Sequence, residues 1–160
     1  MNKISKLGLG TVQWGLSYGV SNQSGPTTPE MVTSILLDAR RSGVSVLDTG
    51  SLYGNAEVVL GMNSLEKFHV VTKTPQFATS RITTTETNQL KQAFQKSLDT
   101  LSCKKVYGLL VHHAEDILVP GGNEIVSAMM QLKEKGQVEK IGVSVYDSKQ
   151  VDAVMEIFIP

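Results

Sequence analysis

The sequence predicts a parallel α/β fold of TIM-barrel type, incomplete, with about five β/α units. Three observations carry that expectation. Short apolar segments alternate with amphipathic ones five times and no tandem hairpins intervene, the pattern of parallel strands joined by helical crossovers. Successive apolar segments also end on reactive side chains, Asp48, Lys73 and His112, and polar strand ends are what the active face of a (β/α)₈ barrel is built from. The rival parallel architecture, a doubly wound nucleotide-binding sheet, fails on its fingerprint. Gly8-Leu9-Gly10-Thr11-Val12-Gln13 has Gln13 where the third glycine belongs, no helix is expected to follow, and no Gly-Lys-Ser/Thr phosphate loop occurs.

The first strand is expected at Lys6–Gly10, followed by a long loop from Thr11 to Thr28 rich in glycine. Loops of that length are usually functional or disordered. Thr28-Pro29-Glu30 reads as a helix start, with a capping hydroxyl, proline at the first helical position and an acid in the first turn. Val32, Ile35, Leu36 and Ala39 follow at helical spacing, and Gly43 stops the run. Val44–Asp48 is the second strand, Ala56–Leu60 a short helix and Phe68–Lys73 the third strand. Leu90, Phe94, Leu98 and Leu101 then share one helix face, with charged and amide side chains away from it. Val106–Val111 is an unbroken apolar fourth strand, expected to be buried on both faces. A further helix carries Ile125, Ala128, Met129 and Leu132 inward and stops at Gly136. Lys140–Ser144 is the fifth strand, and a last helix from Asp147 or Ser148 runs through Val151, Val154, Met155 and Phe158 to the end.

Size suits one domain, residues 1–160, and 41% hydrophobic residues suffice for a core. Fifteen basic residues balance fifteen acidic ones, and no basic stripe or polybasic tail recommends nucleic acid or an anionic membrane as partner. A small ligand is the easier expectation. Met1–Ser5 lacks the apolar core, roughly 7–15 residues, of a secretion signal, and no apolar run approaches the ~20 residues of a membrane span, so the chain reads as cytoplasmic. Cys103 is the only cysteine, which excludes an internal disulfide or a cysteine-based metal centre. Lys104 and Lys105 could lower its pKa, but a junction residue without a role is the preferred reading.

The strand ends also carry longer motifs. Leu47-Asp48-Thr49-Gly50-Ser51-Leu52-Tyr53-Gly54-Asn55-Ala56-Glu57 with Leu60-Gly61, Val71-Thr72-Lys73, Leu109-Leu110-Val111-His112, Gly142-Val143-Ser144 and the opening Leu7-Gly8-Leu9-Gly10-Thr11 resemble the motifs of the aldo-keto reductases. The likeness covers nearly the whole chain. It implies a catalytic tetrad of Asp48, Tyr53, Lys73 and His112, cofactor contacts from Gly10, Thr11, Asp48 and Ser144, and an NADPH- or NADH-dependent reduction of an aldehyde or ketone, sugar-derived ones among the candidates. No metal is implied. Trp14 and Tyr18, in the first βα loop, join Tyr53 and His112 as candidates for the substrate pocket, although loop aromatics equally serve to pack the loop down.

The residue types suit the reaction. Hydride transfer to a carbonyl leaves charge on oxygen, so the site needs a proton donor aimed there. A phenol is a sluggish acid unless its conjugate base is stabilised, which a nearby ammonium does, and a carboxylate behind the ammonium keeps it charged and in place. A neutral imidazole adds a directional donor that fixes the carbonyl. Taken singly, each position has an ordinary reading: Asp48 as a cap, Lys73 as a solvated strand end, Tyr53 as a loop aromatic, His112 as a satisfied buried histidine. His113 is set aside because strand alternation would turn it to the opposite face, and His69 because it begins its strand at the end away from the mouth.

Two departures accompany the resemblance. Ser144 is followed by Val145 where the family often has Asn, one amide partner fewer, and Tyr107 replaces an acid common early in the fourth strand. The chain is expected to hold about half of a barrel of about 250 residues, with much of the cofactor site beyond its C-terminus. Two unpaired sheet edges would then leave an isolated piece marginal and aggregation-prone. Completion by an oligomer or a complementing half-barrel is one expectation; a catalytically inactive fragment or a regulatory half-barrel is the alternative.

Overall fold

The computed structural model describes residues 6–158. Met1–Ser5, read above for a secretion signal, and the last two residues of the chain, to which the final helix was expected to run, lie outside the described residues. The elements alternate as β1 (Gly8–Gly10), α1 (Val12–Gly15), α2 (Pro29–Arg41), β2 (Val46–Asp48), α3 (Ala56–Gly61), β3 (His69–Lys73), α4 (Thr84–Thr100), β4 (Val106–Val111), α5 (Glu115–Leu118), α6 (Asn123–Glu134), β5 (Val138–Val143) and α7 (Ser148–Phe158). All pairings are parallel and the sheet order is β1-β2-β3-β4-β5, so neighbours in space are neighbours in sequence. That order is the opening arc of a (β/α) barrel. A dinucleotide-binding sheet would instead double back, with its first strand in the middle.

Local chemistry explains the helices. The Thr28 hydroxyl accepts from Met31 N–H and Pro29 opens α2, while Gly43 ends the turn at a φ of +75°, where only glycine is unstrained. α4 starts on a capping box: Thr83 Oγ1 accepts from Thr85 N–H, and Glu86 accepts from Thr83 N–H at 2.7 Å. Leu90, Phe94, Leu98 and Leu101 are buried, as are Ile125, Ala128, Met129 and Leu132 of α6. These two faces pack on each other, α6 also lies against β5, and together they complete one core with Val32, Leu36, Leu47 and Leu60.

The structure departs from expectation at the strand starts and in two short helices, α1 and α5. A single helical turn, α1, forms where the sequence expects only loop. β1, β2 and β3 begin one or two residues late, and β5 begins early, at Val138, and ends at Val143. In β4, Val106, Gly108, Leu109 and Val111 are buried whereas Tyr107 and Leu110 are only half-buried. Among the described residues β1 and β5 are the sheet edges, and the edge character of β5 is visible in exposed Glu139 and Lys140. No helix among the described residues is long and apolar enough to cross a membrane.

Candidate active site

Parallel register brings the strand ends together. Gly10 pairs with Asp48 and Asp48 with Val71, while Lys73 pairs with Leu110 and Leu110 with Gly142. One residue past the strands the backbone ladder continues: Thr11 N–H donates to Asp48 C=O, Thr49 N–H to Val71 C=O, Thr74 N–H to Leu110 C=O and Ser144 N–H to Val111 C=O, all at 2.8–2.9 Å. The carboxyl ends of the five strands therefore form one rim.

Asp48, Tyr53, Lys73 and His112 meet on that rim. The Lys73 ammonium, 5% exposed, donates to Asp48 Oδ1 at 2.5 Å and to the Thr49 carbonyl at 2.7 Å. Two acceptors compensate the burial of the charge, as a buried ammonium requires. The Asp48 side chain is 47% exposed, so it faces the mouth as well as the lysine. Tyr53 leaves β2 in a turn closed by Tyr53 N–H to Gly50 C=O at 2.9 Å. Its ring lies 4.8 Å from Lys73 Nζ and presents an edge-to-face contact to the His112 imidazole, centroids 5.6 Å apart at 80°.

The Tyr53 turn is seated on main chain. A Cβ built on Gly15 would stand 1.8 Å from the Tyr53 carbonyl oxygen, and one on Gly54, at a φ of +56°, 2.3 Å from the Gly15 carbonyl oxygen. α1 and the Tyr53-Gly54-Asn55 turn thus touch backbone to backbone, which is why both positions are glycine.

His112 is buried, and its N–H donates to Thr74 Oγ1 at 3.1 Å. Burial, with help from His113 and the Lys73 charge and against Asp48, holds the imidazole pKa down to about 4. The ring is therefore neutral at pH 7. The linkage has a definite sign: because the folded pKa lies below the unfolded one, the contribution to stability is complete above about pH 6.5 and lost as pH falls to about 4. Urea unfolding at pH 7 and pH 4.5 should differ by on the order of 2 kcal/mol more in the native chain than in His112→Gln, and equal differences would contradict the burial of a neutral ring.

The remaining candidates are distributed less evenly. Gly10 and Ser144 stand on the rim, and Thr11 is buried behind it with an unpartnered hydroxyl, like Thr49. Trp14 is 5% exposed and belongs to the core, so it packs the first loop against the body; Tyr18 is 58% exposed. His69 lies at the opposite end of β3, its ring 4.5 Å from Tyr107 beside a cavity of about 790 Å³ that includes Cys103 and none of the four rim residues. Burial raises the Cys103 thiol pKa, with only partial opposition from a backbone hydrogen bond, so the lowering considered for Lys104 and Lys105 does not occur. The reason for excluding His113 also fails: β4 ends at Val111, alternation ends with it, and the two imidazoles stack with centroids 4.7 Å apart. His113 is distinguished from His112 by exposure instead.

Four residues of the neighbourhood carry no single-residue signal in the sequence. Thr49 enters through its carbonyl and Thr74 through its hydroxyl. Glu57, buried, accepts from Thr72 Oγ1 at 2.6 Å and Ser97 Oγ at 2.9 Å, joining the helix after Tyr53 to the strand of Lys73. Its place within the Tyr53 motif was its only advance sign. The fourth is Asp116, in α5, a buried carboxylate that accepts from Phe77 and Ala78 N–H.

Comparison with known proteins agrees with this fold. A family model described as the aldo/keto reductase family matches residues 6–158. Among solved structures, a Pseudomonas aeruginosa protein assigned to the aldo-keto reductases superposes with a TM-score of 0.77 at 26% identity, covering 96% of this chain and 61% of that one. A holo-form aldo-keto reductase from Bacillus halodurans gives 0.71 at 19%, covering 96% and 50%. One from Klebsiella pneumoniae in complex with NADPH gives 0.69 at 23%, again covering 96% and 50%. The chain thus spans between half and three-fifths of the length of these relatives. A comparison with curated proteins finds no match.

Proposed function

The chain belongs to the aldo/keto reductase family, and from that membership we propose that its rim residues reduce an aldehyde or ketone with a hydride from NADPH or NADH. The observation that carries the proposal is the buried Lys73 ammonium set 4.8 Å from the Tyr53 ring, with Asp48 behind it and a neutral His112 edge-on to the phenol. Those are an acid, the cation that stabilises its conjugate base, and a polar group beside the same ring. Further β/α units, from a complementing half-barrel or an oligomer, would supply the rest of the cofactor site, in keeping with the share of the relatives that the chain spans.

Two features of the rim support a place for a nicotinamide ring. A Cβ on Gly10 would meet nothing within 4 Å, and the Asp48 side chain beside it is nearly half exposed. Gly10, Thr11, Asp48 and Ser144 would hold the ring, which when bound supplies the hydride to the carbonyl carbon. Tyr53 gives its phenolic proton to the carbonyl oxygen as charge develops there, and Lys73 stabilises the phenolate left behind until solvent reprotonates it. Asp48 and the Thr49 carbonyl keep the ammonium in place. His112 orients the carbonyl through Nε2–H: its Nδ1 is buried without a partner among the described residues, where a lone pair costs less than an unmatched N–H. Tyr18, with Trp14 at the base of the same loop, would form the aromatic wall of the substrate pocket.

Titrating the chain with NADPH while following nicotinamide fluorescence tests the cofactor part. A saturable change is expected in the native chain, and Gly10→Phe, which fills the room beside Asp48, is expected to remove it without unfolding the protein. No saturable change up to millimolar NADPH would favour the other reading, a half-barrel kept for interaction rather than catalysis.

A further inference from the structure

Two βα loops border His112, and they are fastened to each other at two points. The loop after β3 opens on Thr74, whose hydroxyl accepts from His112 N–H at 3.1 Å. Three residues on, Phe77 N–H donates to the Asp116 carboxylate at 3.3–3.4 Å and Ala78 N–H to the same group at 3.3 Å. Asp116 is 5% exposed and stands four residues after His112, in the short helix α5 of the βα connection that follows β4. Among the described residues no cation lies within ion-pair distance of it.

The second fastening has a specific geometry. Ala78 has a φ of +48°, a left-handed conformation that a residue with a Cβ resists. Successive amides around such a residue point into one concavity and bind an anion there. The Asp116 carboxylate fills that concavity, so its charge is compensated by main chain and the unfavourable backbone at Ala78 is compensated by the carboxylate. His112 needs such support. It lies past the end of β4, and the β3–β4 register pairs no residue beyond Lys73 with Leu110.

We infer that Thr74 and Asp116 are positioning residues that lace the β3 and β4 loops together and so hold the His112 imidazole edge-on to Tyr53. The inference rests on the role proposed above for His112. The charged and titratable groups around the imidazole are Asp48, Lys73, Tyr53 and His113, and none of them is altered by changing Thr74 or Asp116.

The test is ¹H–¹³C NMR titration of the three histidine rings in the 160-residue chain and in Thr74→Val, Thr74→Ser, Asp116→Asn and Asp116→Asn/Ala78→Gly. In the native chain the His112 midpoint is expected near 4. Thr74→Val and Asp116→Asn are expected to raise it by at least about one unit toward 6.5 as the ring leaves its buried place, with His69 unmoved. Loss of a carboxylate by itself would lower an imidazole midpoint, so a rise reports displacement. Thr74→Ser keeps the hydroxyl and is expected to titrate like the native chain. Asp116→Asn/Ala78→Gly relieves the left-handed backbone and is expected to recover part of the shift. Unchanged His112 midpoints in the folded variants, or Thr74→Ser behaving like Thr74→Val, would overturn the lacing. A variant that unfolds loses its cooperative thermal transition by circular dichroism, and Thr74→Ser and the double variant then decide between the two outcomes. Native-rate carbonyl reduction by His112→Gln, in the chain assembled with the β/α units that complete its cofactor site and with these shifts intact, would overturn the role of His112 and leave the lacing standing.

Discussion

Tyr53→Phe, in the chain assembled with the β/α units that complete its cofactor site, is expected to lower kcat for carbonyl reduction by roughly 10²–10⁴-fold, the usual worth of a positioned proton donor. The phenyl ring keeps its contacts with Lys73 and His112, so the unfolding temperature and the NADPH affinity should stay close to native. The comparison is informative because the two parts of the tyrosine have different duties. Its ring is half-buried and packs against the core, and its hydroxyl is the only atom removed. Steady-state kinetics together with nicotinamide fluorescence separate chemistry from binding. Near-native turnover in Tyr53→Phe would remove this residue from the acid role and with it the reason for the Lys73 ammonium beneath the ring.

Gly15→Ala is expected to be as damaging by a different route. The added methyl would lie 1.8 Å from the Tyr53 carbonyl oxygen and 2.4 Å from Ala56 N, both main-chain atoms that no rotamer change can move aside. Overpacking against side chains costs about 1–3 kcal/mol, and against backbone the upper end or more is expected. Either α1 separates from α3 or the Tyr53 turn shifts, and both outcomes displace the phenol from the lysine. Thermal unfolding should show a loss of several degrees, and activity should fall further than stability alone explains. Gly8→Ala is the matched control, since its methyl meets only Val46, the nearest atoms at 3.4 Å, an ordinary contact. A Gly15→Ala variant as stable and active as Gly8→Ala would contradict the close approach.

Long periodic elements were legible in the sequence, and so was the order of the strands. α2, α4 and α6 announce themselves through caps, apolar faces and stops, because those signals act within a few residues of each other. α1 and α5 have four residues each, too few to establish a period, and both exist through tertiary contacts. The start of β5 is expected at Lys140 rather than at Val138 because charged Glu139 separates Val138 from the rest of the run. On an edge strand that interruption costs little. In the candidate site, residue types and spacing selected Asp48, Tyr53, Lys73 and His112, which the fold brings onto one rim. Alternation failed at His113 because the strand had already ended, Thr49 is marked only by its place in the Tyr53 motif, and nothing local marks Thr74 or Asp116, whose partners lie 38 and 39 residues away.

The sheet order β1-β2-β3-β4-β5 bears on how the chain acquires its shape. Every strand pairs with the strand made just before it, so each new closure spans only the one or two helices between consecutive strands and their loops, the least entropically demanding route open to a parallel sheet. A chain leaving the ribosome could dock each unit onto a finished neighbour without waiting for distant sequence. His112 arrives after Asp48, Tyr53 and Lys73 are already placed, so the chemistry is assembled last-in on a template, and kinetic errors should concentrate at the growing β5 margin, away from the lysine.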